Sequence, residues 1–395
     1  MASSDSNTAI RGRNAPIGRS LAPSLEDEVR SAARRLGFAA CGLTGTEDLD
    51  CGPILADWLE AGRHGDMDYL ATMHERRLRP RLALEGARSA IVVAWSYSAP
   101  LPQDPDWREL LRGRVAAYAI GPDYHAHVAD KLRTLARWIA ERTGCESVVH
   151  VDGGPLVEKD LARRAGLGWY GRNTNLVRPG IGSTFVLGVI VTRAELAADP
   201  SFAADHCGTC RACVPACPTG ALDSGPTIDA RLCISYLTIE HRGPVPTALR
   251  SRMGNWVFGC DACQDVCPWN EESTAPNALA RPWLPGWLAM TEEEFRANFS
   301  GTALIRPKRR GLARNAAIVL GNTGNPAAVP FLARALESHD EPIVRAHAAW
   351  SLGAIATADA HAALRGSYSR ERVPPVRREI EAAIGVTTSS PANAI

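Results

Sequence analysis

The sequence of 395 residues lacks several features that would each fix a class of protein. It has no apolar run that approaches the roughly 20 residues needed to cross a bilayer, so no membrane partner is expected. No signal-like apolar segment stands near its start, so nothing supports an oxidising compartment, and the cytoplasm is the expected location. A GxGxxG dinucleotide loop and a Walker loop are both missing. The charge is almost balanced, at a formal +1, and a neutral total can hide a basic face, so it names no partner. With 45% hydrophobic and 22% charged residues, the chain reads as an ordinary globular protein of two or three domains.

What is present is cysteine in a pattern. Eight of eleven cysteines interlock. Cys207-x2-Cys210-x2-Cys213-x3-Cys217-Pro218 matches the bacterial ferredoxin run, whose fourth cysteine ligates the other cluster. Cys260-x2-Cys263-x3-Cys267-Pro268 reproduces only the last three ligands, and Val257 stands where the first belongs. Cys233, isolated between the runs, replaces it. The spacing therefore predicts two [4Fe–4S] clusters, one on Cys207, Cys210, Cys213 and Cys267, the other on Cys217, Cys233, Cys260 and Cys263. Zinc also takes four thiolates, but usually from separated Cys-x2-Cys knuckles. Two clusters serve to move single electrons, so the expected protein is a redox enzyme. Cys41, Cys51 and Cys145 are left over and read as buried structural thiols.

Three domains are expected. Residues 1–24 carry no periodicity and read as an unstructured extension. From 25 to 195, strand candidates at Phe38–Leu43, Ser89–Trp95, Val115–Ile120, Val148–Val151 and Thr184–Val191 alternate with helices, which indicates an α/β domain. Residues 196–285 form the ferredoxin-like module, short of long apolar runs and stabilised by its clusters. From 300 to 386 a repeat appears: Gly321, Gly353 and Gly385 fall 32 residues apart, and Asn315-Ala-Ala-Ile-Val-Leu-Gly321 recurs as His347-Ala-Ala-Trp-Ser-Leu-Gly353. Paired helices at this spacing predict a short HEAT-like α-solenoid. Residues 387–395 read as a disordered tail. The whole is an α+β/α multidomain chain.

Arg306-Pro-Lys308-Arg309-Arg310, then Arg314, precede the repeats, and Arg345 recurs within them. Stacked repeats would place these cations in a stripe suited to phosphates, although a charge run is more often a solvated face. In Val149-His-Val-Asp152-Gly-Gly-Pro-Leu-Val-Glu158-Lys159-Asp160 a strand runs into a helix, with Asp152 at the strand end. Burial beside a cofactor would keep that carboxyl protonated as a general acid; a plain helix cap explains the residue equally well. The glycines of Gly166-Leu-Gly168-Trp-Tyr-Gly171-Arg-Asn173 and Gly180-Ile-Gly182-Ser183 read as backbone approaching a large ligand.

These stretches, with Asp123-Tyr-His125, Cys233 to Glu240, Gly254 to Asn270 and Gly301 to Arg309, resemble the epoxyqueuosine reductases over nearly all of residues 25–385. The resemblance implies a cobalamin- and iron–sulfur-dependent enzyme of tRNA modification, which reduces the epoxide on the wobble base to an alkene. It implies Asp152 as proton donor and Lys159 as a cationic helper. It also implies cobalamin contacts from Tyr118, Asp152, Asn173, Ser183 and Ser235, and tRNA contacts from Arg306, Lys308, Arg309, Arg310, Arg314 and Arg345. Electrons would come from a flavodoxin or ferredoxin, and the protein would act as a monomer. Asp123-Tyr-His125-Ala-His127 lacks the glycine of the Asp-x-His-x-x-Gly motif, so no protein imidazole is expected on cobalt, and His125 and His127 read as helix-start residues. The rival readings are a small-molecule reductase like the reductive dehalogenases and an iron–sulfur electron-transfer subunit.

Overall fold

A computed structural model describes residues 23–97, 104–222, 227–270 and 280–385. Residues 1–22 of the expected extension and the tail from 387 to 395 lie outside the described residues. Ser24, placed in that extension by the sequence, instead caps the first helix, Leu25–Arg35, by accepting the Asp27 N–H at 3.2 Å.

The strands in chain order are β1 (Ala40–Gly45), β2 (Ser89–Ser96), β3 (Arg114–Val115), β4 (Ser147–His150), β5 (Trp169–Tyr170), β6 (Leu176–Val177), β7 (Phe185–Thr192) and β8 (Trp256–Phe258). Among the described residues, β1, β2, β7 and β4 lie in that order in one four-stranded sheet, each pair antiparallel. Ala90 to Ala94 are all fully buried because both faces are covered. Ile91 and Val93 face the helices Leu25–Arg35 and Tyr124–Thr143, while Ala90, Val92 and Ala94 face the helix Glu158–Arg164. Alternation of side chains along the strand thus serves two cores.

The strand expected over Val115–Ile120 is mostly not a strand. Only Arg114 and Val115 pair, in parallel with β8, and Ala117–Ala119 form one 3₁₀ turn. Asp261 accepts the Ala117 N–H at 2.7 Å, which pulls the backbone out of the ladder. This short pairing stitches the α/β domain to the segment carrying Cys260.

The cysteine module has a small core of its own, including Ile234, Leu237, Val245, Leu249, Met253 and Trp256. Residues 284–299 form the helices Leu284–Ala289 and Glu292–Phe299, which share one continuous core with the solenoid. Two of the three repeat glycines, Gly321 and Gly353, mark where its inner helices, Lys308–Thr323, Pro342–Ile355 and Pro374–Gly385, touch. A Cβ on Gly321 would sit 2.6 Å from Ser351 Oγ, and one on Gly353 would sit 2.8 Å from Ala383 Cβ.

The solenoid is bolted to the cysteine module by buried polar contacts. Asn315 Nδ2 donates to the carbonyls of Thr238 and Val257, and Arg250 makes a bidentate pair with Glu379 at 2.7 and 2.9 Å. His347 is fully buried at the same junction. Its Nδ1 donates to Ile343 O at 2.7 Å, leaving Nε2 to accept the Val245 N–H at 3.2 Å. Burial holds its pKa well below the usual histidine value. The unfolded chain therefore binds a proton below about pH 6.5 that the folded chain refuses, and stability falls with acid by up to about 1.4 kcal/mol per pH unit. Urea unfolding at pH 7 and pH 5.5 should show this loss in the native protein and a smaller one in His347→Gln.

Candidate active site

One cavity of about 770 Å³ opens between the sheet, the helix Glu158–Arg164 and the helix Gly52–Glu60. Its volume is within the range of small-molecule pockets. Ile54, Leu55, Leu156, Val186 and Leu187 supply apolar wall, and Asp152, Glu158, Lys159 and Asp160 bring four titratable groups from one loop and helix start.

Asp152 leaves β4 with φ +51°, in the left-handed region where aspartate is one of the few side chains tolerated. Its backbone N–H donates to Glu158 Oε1 at 2.8 Å, which holds the turn. Its Oδ2 accepts from the Tyr124 hydroxyl and stands 3.6 Å from His125 Nε2. His125 Nδ1 in turn lies 2.6 Å from Asp123 Oδ1, and its ring stacks on Tyr124. The electrostatics differ from the expectation of a carboxyl kept protonated by burial. The His125 hydrogen bond outweighs desolvation and lowers the Asp152 pKa, while Asp152 raises that of His125. The neighbour that burial does push up, to about 8, is Glu158, helped by the Asp152 charge. Asp152 and His125 thus favour each other's charged forms, and Glu158 keeps a proton at neutral pH. Neither Tyr124 nor Glu158 was assigned a role from sequence. An acidic residue in the first turn of a helix reads there as a dipole partner.

Lys159 reaches from the helix start to Thr174 O at 3.0 Å and Asn175 Oδ1 at 3.3 Å. Burial lowers its pKa, opposed by Asp152 and by Cys263 and Cys233. It is therefore near enough to both the carboxylate and the cysteine module to feel their charges.

The thiols gather in two groups. Those around Cys213 are Cys207, Cys267 and Cys210. Cys260 has Cys233 and Cys263 as neighbours, and Cys233 has Cys217. Cys213 is also close enough to affect Cys263, so the groups adjoin. Among the described residues no three His, Cys, Asp or Glu side chains converge as a single ion demands. A cubane instead takes one thiolate at each of four irons. Trp169 Nε1 donates to Cys207 Sγ at 3.4 Å and the Ala221 N–H to Cys217 Sγ at 3.3 Å, the kind of contact that sets cluster potential. Of the leftover cysteines, Cys51 lines the cavity instead of being inert core, and burial beside Asp160 pushes its thiol up to about 12.

Of the expected cobalamin contacts, Asp152 and Ser183 line the cavity. Ser183 is buried and bound to Gln264 and Asn270 of the cysteine module. Asn173 is buried behind the wall. Its Oδ1 accepts the Asn175 N–H, turning the chain so that Thr174 and Asn175 face the cavity in its place. Tyr118 packs on Tyr124 and Phe258, and the Ser235 backbone bonds to Cys233, so neither is among the lining residues. Of the glycines expected to face a ligand, Gly166, Gly168, Gly171 and Gly182 face the protein's own chain, and Gly180 faces open space. A Cβ on Gly168 would meet Val177 O at 2.1 Å, and one on Gly182 would meet Asn270 Oδ1 at 2.1 Å. His125 and His127 sit in the first turn of their helix, the latter edge-on to Trp95.

Three of the six expected tRNA contacts are internal. Arg314 is 1% exposed and bound to the carbonyls of Leu237, His241 and Gly243. Arg309 is buried against Met290 O and pairs with Asp340. Arg345 forms a bidentate pair with Glu371 and donates to His339 O. Their repeat register turns them towards neighbouring turns and helices instead of outwards, so the expected cationic stripe is not assembled. Lys308 and Arg310 are exposed, as is Arg306, which pairs with Glu240.

Residues 206–270 match the family described as a 4Fe-4S double cluster binding domain and residues 302–385 that of HEAT repeats. Fold and site define an iron–sulfur oxidoreductase with a helical-repeat arm. Residues 77–153 match the family described as epoxyqueuosine reductase QueG, DUF1730. The chain is 36% identical to the epoxyqueuosine reductase of Pseudomonas aeruginosa, across 85% of this chain and 97% of that one. It is 39% identical to that of Xanthomonas campestris, across 82% and 94%. A crystal structure of an epoxyqueuosine reductase with an epoxyqueuosine-modified tRNA-Tyr stem loop superposes with a TM-score of 0.85 at 28% identity, covering 92% of this chain and 99% of that one. The Streptococcus thermophilus enzyme gives 0.81 at 31% identity, covering 92% and 99%. The chain belongs to the epoxyqueuosine reductase family.

Reversing the charge of Lys308 and Arg310 together should weaken binding of a tRNA stem loop and flatten its salt dependence, read by fluorescence anisotropy at several salt concentrations. Arg345→Glu should instead lower the melting temperature, because it leaves Glu371 facing a like charge.

Proposed function

We propose that the chain reduces epoxyqueuosine in tRNA to queuosine with two [4Fe–4S] clusters, cobalamin in the 770 Å³ cavity and Asp152 as proton donor. The clusters are assigned to Cys207, Cys210, Cys213 and Cys267, and to Cys217, Cys233, Cys260 and Cys263. The overall change consumes two electrons and two protons, opens the epoxide to the alkene and releases water. The observation that carries the reading is that Lys159, which lines the cavity with Asp152, is close enough to feel the charge of Asp152 and of the Cys263 and Cys233 thiols alike.

The residues present fit a corrinoid. The walls are mainly apolar, and the buried Asp160, whose Oδ2 has no hydrogen-bond partner, is among the lining residues. Bound there, the cofactor would supply the low-potential cobalt that receives electrons singly from the adjoining cluster and delivers them to the epoxide. The protein's own part is proton supply and placement. Asp152 presents its proton at the cavity wall, with Tyr124 donating to its Oδ2 and Glu158 holding its backbone N–H. His125, raised by carboxylates on both sides, restores the proton after each turnover. Glu158 holds the second. The Bacillus subtilis relative is described with its catalytic aspartate loop swung out of the active site, which supports assigning the chemistry to the loop after β4.

Cys210 is the exposed cysteine of its group, so a flavodoxin or ferredoxin would deliver electrons there to a monomeric enzyme. Among the described residues no helix is long and apolar enough to cross a membrane, which agrees with a cytoplasmic enzyme acting on tRNA.

Anaerobic protein should contain about eight irons and eight sulfides per chain, the sum of two cubanes, and bind one cobalamin. Cys233→Ala should lose half the iron. Asp152→Asn should keep both clusters and the cofactor while conversion of epoxyqueuosine stem loop falls about 10²- to 10⁴-fold, the usual worth of a general acid. Full activity in Asp152→Asn would remove the proton-donor role, and an absence of cobalamin binding would remove the cofactor.

A further inference from the structure

Trp169 belongs to the α/β domain, yet its side chain ends on a thiol of the cysteine module. It stands in β5, paired with Val177 of β6, and is 3% exposed. Gly168 lets the two strands close up, since a Cβ there would meet Val177 O at 2.1 Å. The indole is held by three rings: it stacks on Phe202 with centroids 5.6 Å apart, and His206 and Trp269 lie at 4.9 and 5.1 Å. Its Nε1–H donates to Cys207 Sγ at 3.4 Å. Trp269 directly follows Cys267-Pro268, and the backbone N–H groups of Trp269 and Asn270 bond to the Cys267 sulfur. The packing therefore sets the indole against two of the four thiols assigned to one cluster. A buried indole N–H needs an acceptor, and a neutral thiol is a weak one. A sulfur that carries negative charge accepts far better, because the hydrogen bond is then charge-assisted.

We propose that Trp169 is a potential-setting residue: by donating its Nε1–H to Cys207 Sγ it favours the reduced form of the [4Fe–4S] cluster on Cys207, Cys210, Cys213 and Cys267 over the oxidised form. This rests on the cluster assignment above. Reduction adds one electron to the cubane, breaks no bond and increases the negative charge on its sulfurs, so a donor N–H stabilises the product more than the reactant. The electron comes from the low-potential one-electron donor already invoked, which would meet this cluster at the exposed Cys210. The cluster that receives the electron is thereby made easier to reduce by a side chain of the neighbouring domain. The contact is also separable from the backbone: Cys217 Sγ accepts the main-chain N–H of Ala221, which no substitution short of proline removes, whereas the indole N–H can be deleted alone.

The test is an anaerobic redox titration of the full-length, cluster-loaded protein, followed by electron paramagnetic resonance. Trp169→Phe keeps an aromatic ring and removes the N–H. It should retain about eight irons per chain. One cluster should shift its reduction equilibrium about tenfold towards the oxidised form, which is about 59 mV for a one-electron couple, while the other cluster stays where it was. Pulsed resonance of the reduced native protein, isotopically labelled at its indole nitrogens, should show a nitrogen coupling to a cluster, and this arm needs no variant to fold. Unmoved potentials in a variant with full iron, an equal shift of both clusters, or no indole coupling in the native protein would each overturn the proposal. If the native protein holds zinc, or fewer than two cubanes, the cluster assignment fails and the proposal with it, a result told apart by metal content alone.

Discussion

The arrangement depends on one buried guanidinium. Arg314 carries its charge into the boundary between the solenoid and the cysteine module with no carboxylate bound to it, and burial lowers its pKa to about 10. Such a charge is tolerable only if its donors are satisfied. Arg314 makes five hydrogen bonds, to Leu237 O, His241 O, Gly243 O and twice to Asn315 Oδ1. Leu237 belongs to the short helix Ile234–Ile239, whose preceding residue is Cys233. A cation at a helix C-terminus also opposes the helix dipole favourably. The cysteine that stands outside both ferredoxin-like runs is therefore placed by a residue of the repeat domain.

This coupling explains why the three parts behave as one framework. Thr238, on the Cys233 helix, receives Asn315 through its carbonyl and accepts the Gly259 N–H on its hydroxyl, next to Cys260. Parallel pairing of β3 with β8 continues the connection into the α/β domain, and Ser183 ties the cavity wall to Gln264 and Asn270 between and beyond Cys263 and Cys267. The groups proposed to supply protons and those proposed to carry electrons are consequently joined through one set of contacts, with Asp152 lining the cavity at the end of β4.

Much of this was legible in the sequence because it is written in spacing. Cysteine intervals, glycines every 32 residues and apolar runs such as Ala90 to Ala94 each impose a geometry that few folds satisfy. Charge was not legible in the same way. Arg309, Arg314 and Arg345 look like surface cations in a string of letters, and only the direction of each helix turns them onto carbonyls or carboxylates. The protonation of the site was hidden for a related reason: whether Asp152 or Glu158 keeps a proton depends on which one meets His125, a contact between residues 27 positions apart. Gly168 and Gly182 misled because close approach by the chain itself and by a ligand demand the same residue.

The contact of Gly321 with Ser351 and of Gly353 with Ala383 leaves the inner helices of the arm with backbones nearly touching. Without side chains between them to shift, these helices have little room to slide or bend. The arm is therefore stiff along its inner seam, and any side chain placed at Gly321 or Gly353 would have to wedge two helices apart and tilt every repeat beyond it.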